Sequence, residues 1–181
     1  MQAAVIQLPK ICDPRGNLSF VESVGSVLPF RIERAYWLYE VPGGDWREGH
    51  AFRQQHEFIV ALSGSFDVVL NDGNGEQRHH MCRSYYGIYV PPMTWRSLDN
   101  FSTNAVVLVL SSTKYDENDY IEDFSEFIRE KQNAAPDDAP QCDFPETHFS
   151  GSGLDACRLI DVETHHHPMG SLSVVEAQRH V

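Results

Sequence analysis

Basic residues are scarce in this chain: 14 Lys and Arg stand against 26 Asp and Glu over 181 residues, a formal charge of −12. Nucleic acid and anionic membranes both call for a basic surface, so neither partner class is expected. A small anionic ligand is still allowed, because a few arginines inside a cleft override the mean field. Long apolar runs are missing too. The longest, Ala105 to Leu110, is far too short to cross a bilayer. Met1 to Gln7 has neither a basic start nor an extended apolar stretch, so no secretory leader is expected. Cysteine is sparse: Cys12, Cys82, Cys142 and Cys157 are scattered, with no Cys-x-x-Cys pair. That pattern reads as reduced thiols of a cytoplasmic protein.

What is present is ample for one core: 41% of the residues are hydrophobic and 11% aromatic. Residues 34–41, 58–70, 85–90 and 105–111 are rich in β-branched and aromatic side chains. Pro42-Gly43-Gly44, Ser63-Gly64-Ser65, Asn71 to Gly75 and Pro91-Pro92 punctuate them as turns. Many short strands at this spacing predict an all-β sandwich or barrel. A helical period follows, with Tyr120, Ile121, Phe124, Phe127 and Ile128 forming one apolar stripe behind Asp116-Glu117. Such a helix is expected to pack outside the sheets, its aromatics serving as core. Residues 133–153 turn to Pro, Asp, Ala, Ser and Gly and read as a linker. Residues 154–181 hold a surprise. Pro168 to Glu176 repeats Pro14 to Glu22 at six of nine positions, as a second copy of the opening strands would. Such a segment reads as the start of a second domain that was cut short or decayed, or as a strand that pairs with a sheet edge in place of one from a partner subunit.

Residues 5–130 resemble the cupin-type sugar 3,4-ketoisomerases, which act on dTDP-4-keto-6-deoxyglucose. The resemblance is carried by Asp13-x-Arg15-Gly16-x-Leu18, Leu28-Pro29-Phe30-x-Ile32-x-Arg34-x-Tyr36, His50-Ala51 and Leu62-x-Gly64-Ser65. It continues through Gly87-x-Tyr89-Val90, Trp95, Asn100-Phe101-Ser102 and Tyr115-Asp116-Glu117-x-Asp119-Tyr120-Ile121. It implies a jelly-roll β-barrel over residues 1–132 with the helix outside, usually in a dimer that exchanges N-terminal strands. Two departures stand out. The family's His-Ala-His is His50-Ala51-Phe52 here, and its Trp-His pair is Trp95-Arg96. Metal-binding cupins use two histidines, a glutamate and a later histidine, of which this chain offers His50 and Glu57. Two ligands are too few for a stable transition-metal site, so no cofactor is expected. His165-His166-His167 is not expected to hold a metal either, since adjacent strand residues face opposite ways.

The implied reaction moves a carbonyl from C4 to C3 of the sugar. A base removes the C3 proton, an enediol forms, and C4 is reprotonated. His50 is the expected proton carrier, because histidine titrates near neutrality without large tuning. Alternation puts His50 and Phe52 on one face of a strand, so only one of that pair can move protons. Tyr36 is a second relay candidate. Arg15, Arg34, Arg53 and Arg96 are candidates for the pyrophosphate, since guanidinium matches phosphate oxygens bidentately. Tyr89 and Trp95 complete the expected substrate-binding set. His56 has no matched role and is expected to be structural or exposed. The rival readings are a catalytically weakened nucleotide-sugar-binding homologue and another enolising enzyme, such as an epimerase.

Overall fold

The computed structural model describes residues 2–23, 27–133, 164–168 and 170–176. In chain order the strands are β1 (Ala4–Gln7), β2 (Lys10–Ile11), β3 (Leu18–Ser19), β4 (Arg34–Tyr39), β5 (Arg47–Phe52), β6 (Glu57–Ser63) and β7 (Phe66–Asn71). They continue as β8 (Glu76–Met81), β9 (Tyr86–Val90), β10 (Trp95–Asp99), β11 (Val106–Ser111) and β12 (Tyr120–Ile121). Helix α1 (Phe124–Asn133) follows, then β13 (Thr164–His167) and β14 (Gly170–Glu176). A seven-stranded sheet has the order β1-β9-β6-β11-β4-β14-β13, and a five-stranded sheet the order β12-β5-β10-β7-β8. All the pairings are antiparallel.

The two sheets face one another across a core built by strict alternation. Tyr36 and Leu38 of β4, Ile59 and Ala61 of β6, Ile88 and Val90 of β9, and Val107 and Val109 of β11 point inward from the large sheet. Phe66, Val68, Leu70, Met81 and Leu98 answer from the small one. The intervening residues form a second layer. Phe58, Val60, Tyr89 and Leu110, on the other face of the large sheet, are covered by Leu28 and Phe30. The central strands β6 and β9 therefore bury both faces, which is why their segments read as near-continuous apolar runs.

The turn expected at Ser63-Gly64-Ser65 divides the run 58–70 into β6 of the large sheet and β7 of the small one, and Gly64 takes a φ of +64° that an L side chain rarely adopts. A Cβ there would also lie 2.8 Å from Ala105 Cα, so the turn needs glycine twice over. The helical stripe expected from Tyr120 begins only at Phe124. Tyr120 and Ile121 instead pair with Phe52 and Ala51 as a short strand. The Asp123 carboxylate caps the helix by accepting from Glu126 N at 2.8 Å. Phe127 then packs with Ala51 and Ile121 on the outside of the small sheet. The expected linker, 133–153, and the start of the partial repeat lie outside the described residues, except for Asn133 at the end of α1.

Candidate active site

Alternation aims Arg34, Tyr36 and Leu38 of β4 at the space between the sheets, and Arg96 of β10 and His50 of β5 do the same from the opposite side. His50 and Arg96 are direct cross-strand partners. Together with Arg47, Tyr120 and Leu172 they line a cavity of about 230 Å³. Arg47 is three residues from His50, and plain alternation would turn it to the other face. The β5–β10 register shifts between Arg96 and Leu98, and that bulge brings Arg47 round to the cavity. A recess of about 260 Å³ between Ala3, Pro91, Pro92 and Lys131 contains neither histidine nor arginine and offers no comparable chemistry.

At the cavity floor sits a buried ionic pair. Arg96 Nε donates to Glu57 Oε2 at 2.9 Å and Nη2 to Oε1 at 3.2 Å. The Tyr36 hydroxyl donates to Glu57 Oε1 at 2.7 Å and accepts from Arg96 Nη2 at 3.0 Å. Gln55 Nε2 adds a bond to Oε1 at 3.3 Å. Burial pushes the Glu57 carboxyl up, but the adjoining Arg96 guanidinium and its hydrogen bonds more than offset this and hold it below the ordinary carboxylate range. The Tyr36 phenol goes the other way: burial, then the Glu57 charge, raises it well above its usual value, so it keeps its proton.

His50 lies above this floor between aromatic walls, its ring 5.0 Å from Phe52 edge to face and 5.3 Å from Tyr120. Cations dominate the lining. Arg34 is buried over the Tyr36 ring, with its Nε 3.5 Å from Glu176. Arg34 Nε and Nη1, and Arg47 Nε and Nη2, are buried and make no hydrogen bond among the described residues. Burial also lowers the affinity of the Arg47 guanidinium for its proton, with Arg96 adding to the effect. Buried donors without acceptors are costly, and an anion entering the cavity would satisfy them.

The other sequence-predicted residues fall elsewhere. Arg15 is exposed and forked onto Asp13 at 2.8 and 3.0 Å. Arg53 braces the helix, bonding Glu130, Glu126 and the carbonyls of Asn118 and Tyr120. Trp95, one residue out of phase with Arg96, packs outside on Phe124 and Phe127. Tyr89 lies in the second layer, where its hydroxyl meets His56 Nδ1 at 2.7 Å. None of these four lines the cavity. Sequence reasoning missed Arg47, Tyr120 and Leu172. The bulge hid the first, the helical reading the second, and distance along the chain the third.

The donor set does not fit a metal. Phe52 and Arg96 stand at two of the four cupin ligand positions, and both Glu57 oxygens are engaged by Arg96. Among the described residues no three His, Cys, Asp or Glu cluster as ligands would.

His56 is buried, stacked on Phe30 and Tyr89, and burial pushes its imidazole below the ordinary value. The unfolded chain then binds the extra proton more readily. This contribution to stability is complete above about pH 6.5 and is lost as pH falls through the lowered folded value. The expected outcome is a urea midpoint that declines as pH falls below about 6.5 in the parent, and declines less in His56→Gln. Equal slopes in the two proteins would exclude His56 as the titrating group.

The family model described as "FdtA: WxcM-like, C-terminal" matches residues 1–132. A TDP-4-oxo-6-deoxy-alpha-D-glucose-3,4-oxoisomerase from Aneurinibacillus thermoaerophilus is 37% identical over 127 residues, covering 70% of this chain and 91% of that protein. The crystal structure of a 3,4-ketoisomerase from Helicobacter canadensis superposes with a TM-score of 0.70 at 32% identity, covering 73% of this chain and 98% of that one. A sugar 3,4-ketoisomerase from Thermoanaerobacterium thermosaccharolyticum, solved in complex with TDP, gives 0.70 at 30% identity over 72% of this chain and 95% of its own. With the fold, the matched span and the histidine-bearing cavity in agreement, the chain belongs to the WxcM-like, C-terminal family, whose relatives here are sugar 3,4-ketoisomerases.

Proposed function

We propose that this protein is a metal-independent 3,4-ketoisomerase acting on a TDP-linked 4-keto-6-deoxyhexose. The observation that carries the reading is the placement of His50 and three arginines around one cavity. At about 230 Å³ it suits the sugar end of the substrate, with the nucleotide toward the mouth. In the proposed step His50 takes the proton from C3, the C3–H electron pair forms the C3–C4 double bond, and the C4 carbonyl oxygen becomes the enediolate oxygen. Guanidinium groups facing that oxygen lower the barrier electrostatically. Proton transfer from the O3 hydroxyl to O4, and return of a proton from the His50 imidazolium to C4, leave the carbonyl at C3 and the imidazole neutral. Atoms and charge balance with no redox partner. Tyr36, protonated and at the cavity wall, is the second proton-handling group we assign. Arg34, Arg47 and Arg96 form the cationic, anion-binding side of the pocket.

Among the described residues no helix is long and apolar enough to cross a membrane. A cytoplasmic location belongs to the proposal, supported by the scattered cysteines with no Cys-x-x-Cys pair. So does the domain reading, with residues 1–132 as the catalytic unit and 154–181 as a partial repeat. The homodimer that the resemblance implies would be held through surfaces other than the edge of β4, which β14 covers.

The experiment is incubation with TDP-4-keto-6-deoxyglucose in D₂O, followed by proton NMR of the sugar. Deuterium at the reprotonated carbon together with a 3-keto product is expected. Exchange at C3 without a new ketone would point to a different enolising activity. Binding without any exchange would reduce the protein to a binding homologue.

A further inference from the structure

We infer that β14 is a built-in replacement for a strand that the N-terminal segment of another copy would otherwise supply, so that one chain completes its own cavity. The inference goes beyond the proposed reaction and rests on four observations. First, β14 lies outside the matched family span of residues 1–132, yet it pairs with β4 in unbroken register from Ser171↔Tyr39 to Glu176↔Arg34. Without it β4 would be an open edge beside the cavity.

Second, β14 contributes to the site itself. Leu172 lines the cavity and, with Val174, packs against the central core. Buried Glu176 stands 3.5 Å from Arg34, and its Oε1 accepts from Tyr115 N at 3.0 Å. Third, the slot makes demands that the repeated motif meets. Gly170 has φ +117°, and a Cβ there would lie 2.8 Å from Val41 and 3.0 Å from Arg47 Nη2. Gly, Leu, Ser and Glu of Pro168 to Glu176 are the residues shared with Pro14 to Glu22 that meet the slot.

Fourth, the N-terminal copy of the motif stays at the surface, where Leu18 and Ser19 pair with Ile11 and Lys10 of β2. Gly16 has φ +143° with nothing within 4 Å of its would-be Cβ, and Leu18 is 56% exposed where its counterpart Leu172 is half-buried. The same motif thus occurs twice, once exposed and once fitted to the edge of β4. The occupant assigned is the chain's own residues 170–176, and the residues 14–22 of a second copy are the rival.

The test uses the full chain with two cysteine pairs. Trp37 opposes Ser173 across the β4–β14 ladder, on the face away from the cavity, and Ser19 is the repeat's counterpart of Ser173. Cα atoms paired across an antiparallel ladder lie within disulfide reach. Under mild oxidation Trp37→Cys/Ser173→Cys should close within a monomer, with the bond mapped by mass spectrometry, while Trp37→Cys/Ser19→Cys should not cross-link. A 37–19 disulfide joining two chains, or failure of the 37–173 pair to close, would overturn the inference. A second measurement reads the site. Leu172→Asp, which puts a carboxylate into the wall, should weaken TDP binding by roughly tenfold or more, and Leu18→Asp should leave it unchanged. The reverse order would also overturn it. If the parent chain binds no TDP, the proposed function fails, and the disulfide result still decides which strand fills the slot.

Discussion

His50→Asn is expected to lower turnover of TDP-4-keto-6-deoxyglucose by about 10²- to 10⁴-fold, the usual contribution of a positioned general acid–base group. Its effect on TDP affinity should be small, because the cationic contacts come from Arg34, Arg47 and Arg96 rather than from the imidazole. Asparagine has nearly the same reach and keeps a polar head, so the walls formed by Phe52 and Tyr120 have little cause to move. What is lost is the imidazole assigned here as the proton carrier. The motif histidine of the family's second position is Phe52 here, so no neighbouring imidazole can take over. Steady-state kinetics and TDP calorimetry on the same preparation check the split. Equal losses in both would make His50 a structural residue, and unchanged turnover would move the base to another group.

The largest stability effect is expected at Arg96. Arg96→Met removes the cation bonded to Glu57, whose side chain is 1% exposed, and should cost about 3–5 kcal/mol. Most of that loss comes from what stays behind, a buried carboxylate that must either remain charged without its partner or take up a proton. Adding Glu57→Gln should therefore recover much of it, since a neutral amide can still accept from the Tyr36 hydroxyl that now bonds Glu57 Oε1. Urea unfolding of the parent, both single variants and the double variant forms a complete cycle. A single-variant loss under about 1 kcal/mol would mean that water reaches the pair and screens it. A double variant no more stable than Arg96→Met would show that the loss is packing rather than uncompensated charge.

The two effects concern one small volume with divided duties. Glu57, Arg96 and Tyr36 form a rigid, hydrogen-bonded floor, while His50 and the less satisfied Arg34 and Arg47 face the space above it. Fixed charge below and unsatisfied donors above suit an anionic ligand whose sugar is presented to one imidazole. Arg96 belongs to both parts. It lines the cavity, and its own proton is held more firmly than usual: burial works against its charge, but the Glu57 carboxylate outweighs it.

Much of this was legible in residue order. The β-branched and aromatic runs 34–41 and 105–111 marked two strands, but both are near-continuous in apolar residues, so which side chains face inward is decided by the fold. Strand alternation separates Arg96 from Trp95, so that one enters the cavity and the other packs on the helix. The turn at Ser63-Gly64-Ser65 was also legible, because only glycine suits a φ of +64° there. Other features were not. Tyr120 keeps helical spacing with Phe124 and Phe127, and only its pairing with Phe52 makes it a strand residue beside His50. Arg15 sits in a matched motif, yet its nearest carboxylate is Asp13, two residues away, and the pair stays on the surface.

The sequence by itself determined the all-β class, the family, the single surviving motif histidine and the presence of a repeated nine-residue segment. These depend on residue identity and on the two-residue period of a strand, both of which are local. Tertiary structure alone decided that Glu57 is neutralised by Arg96, that a bulge turns Arg47 into the cavity, and that Leu172 closes its wall from a strand more than a hundred residues from β5. Each of these is a contact between elements far apart in the chain. Its partner is set by strand order and register, which no local pattern encodes.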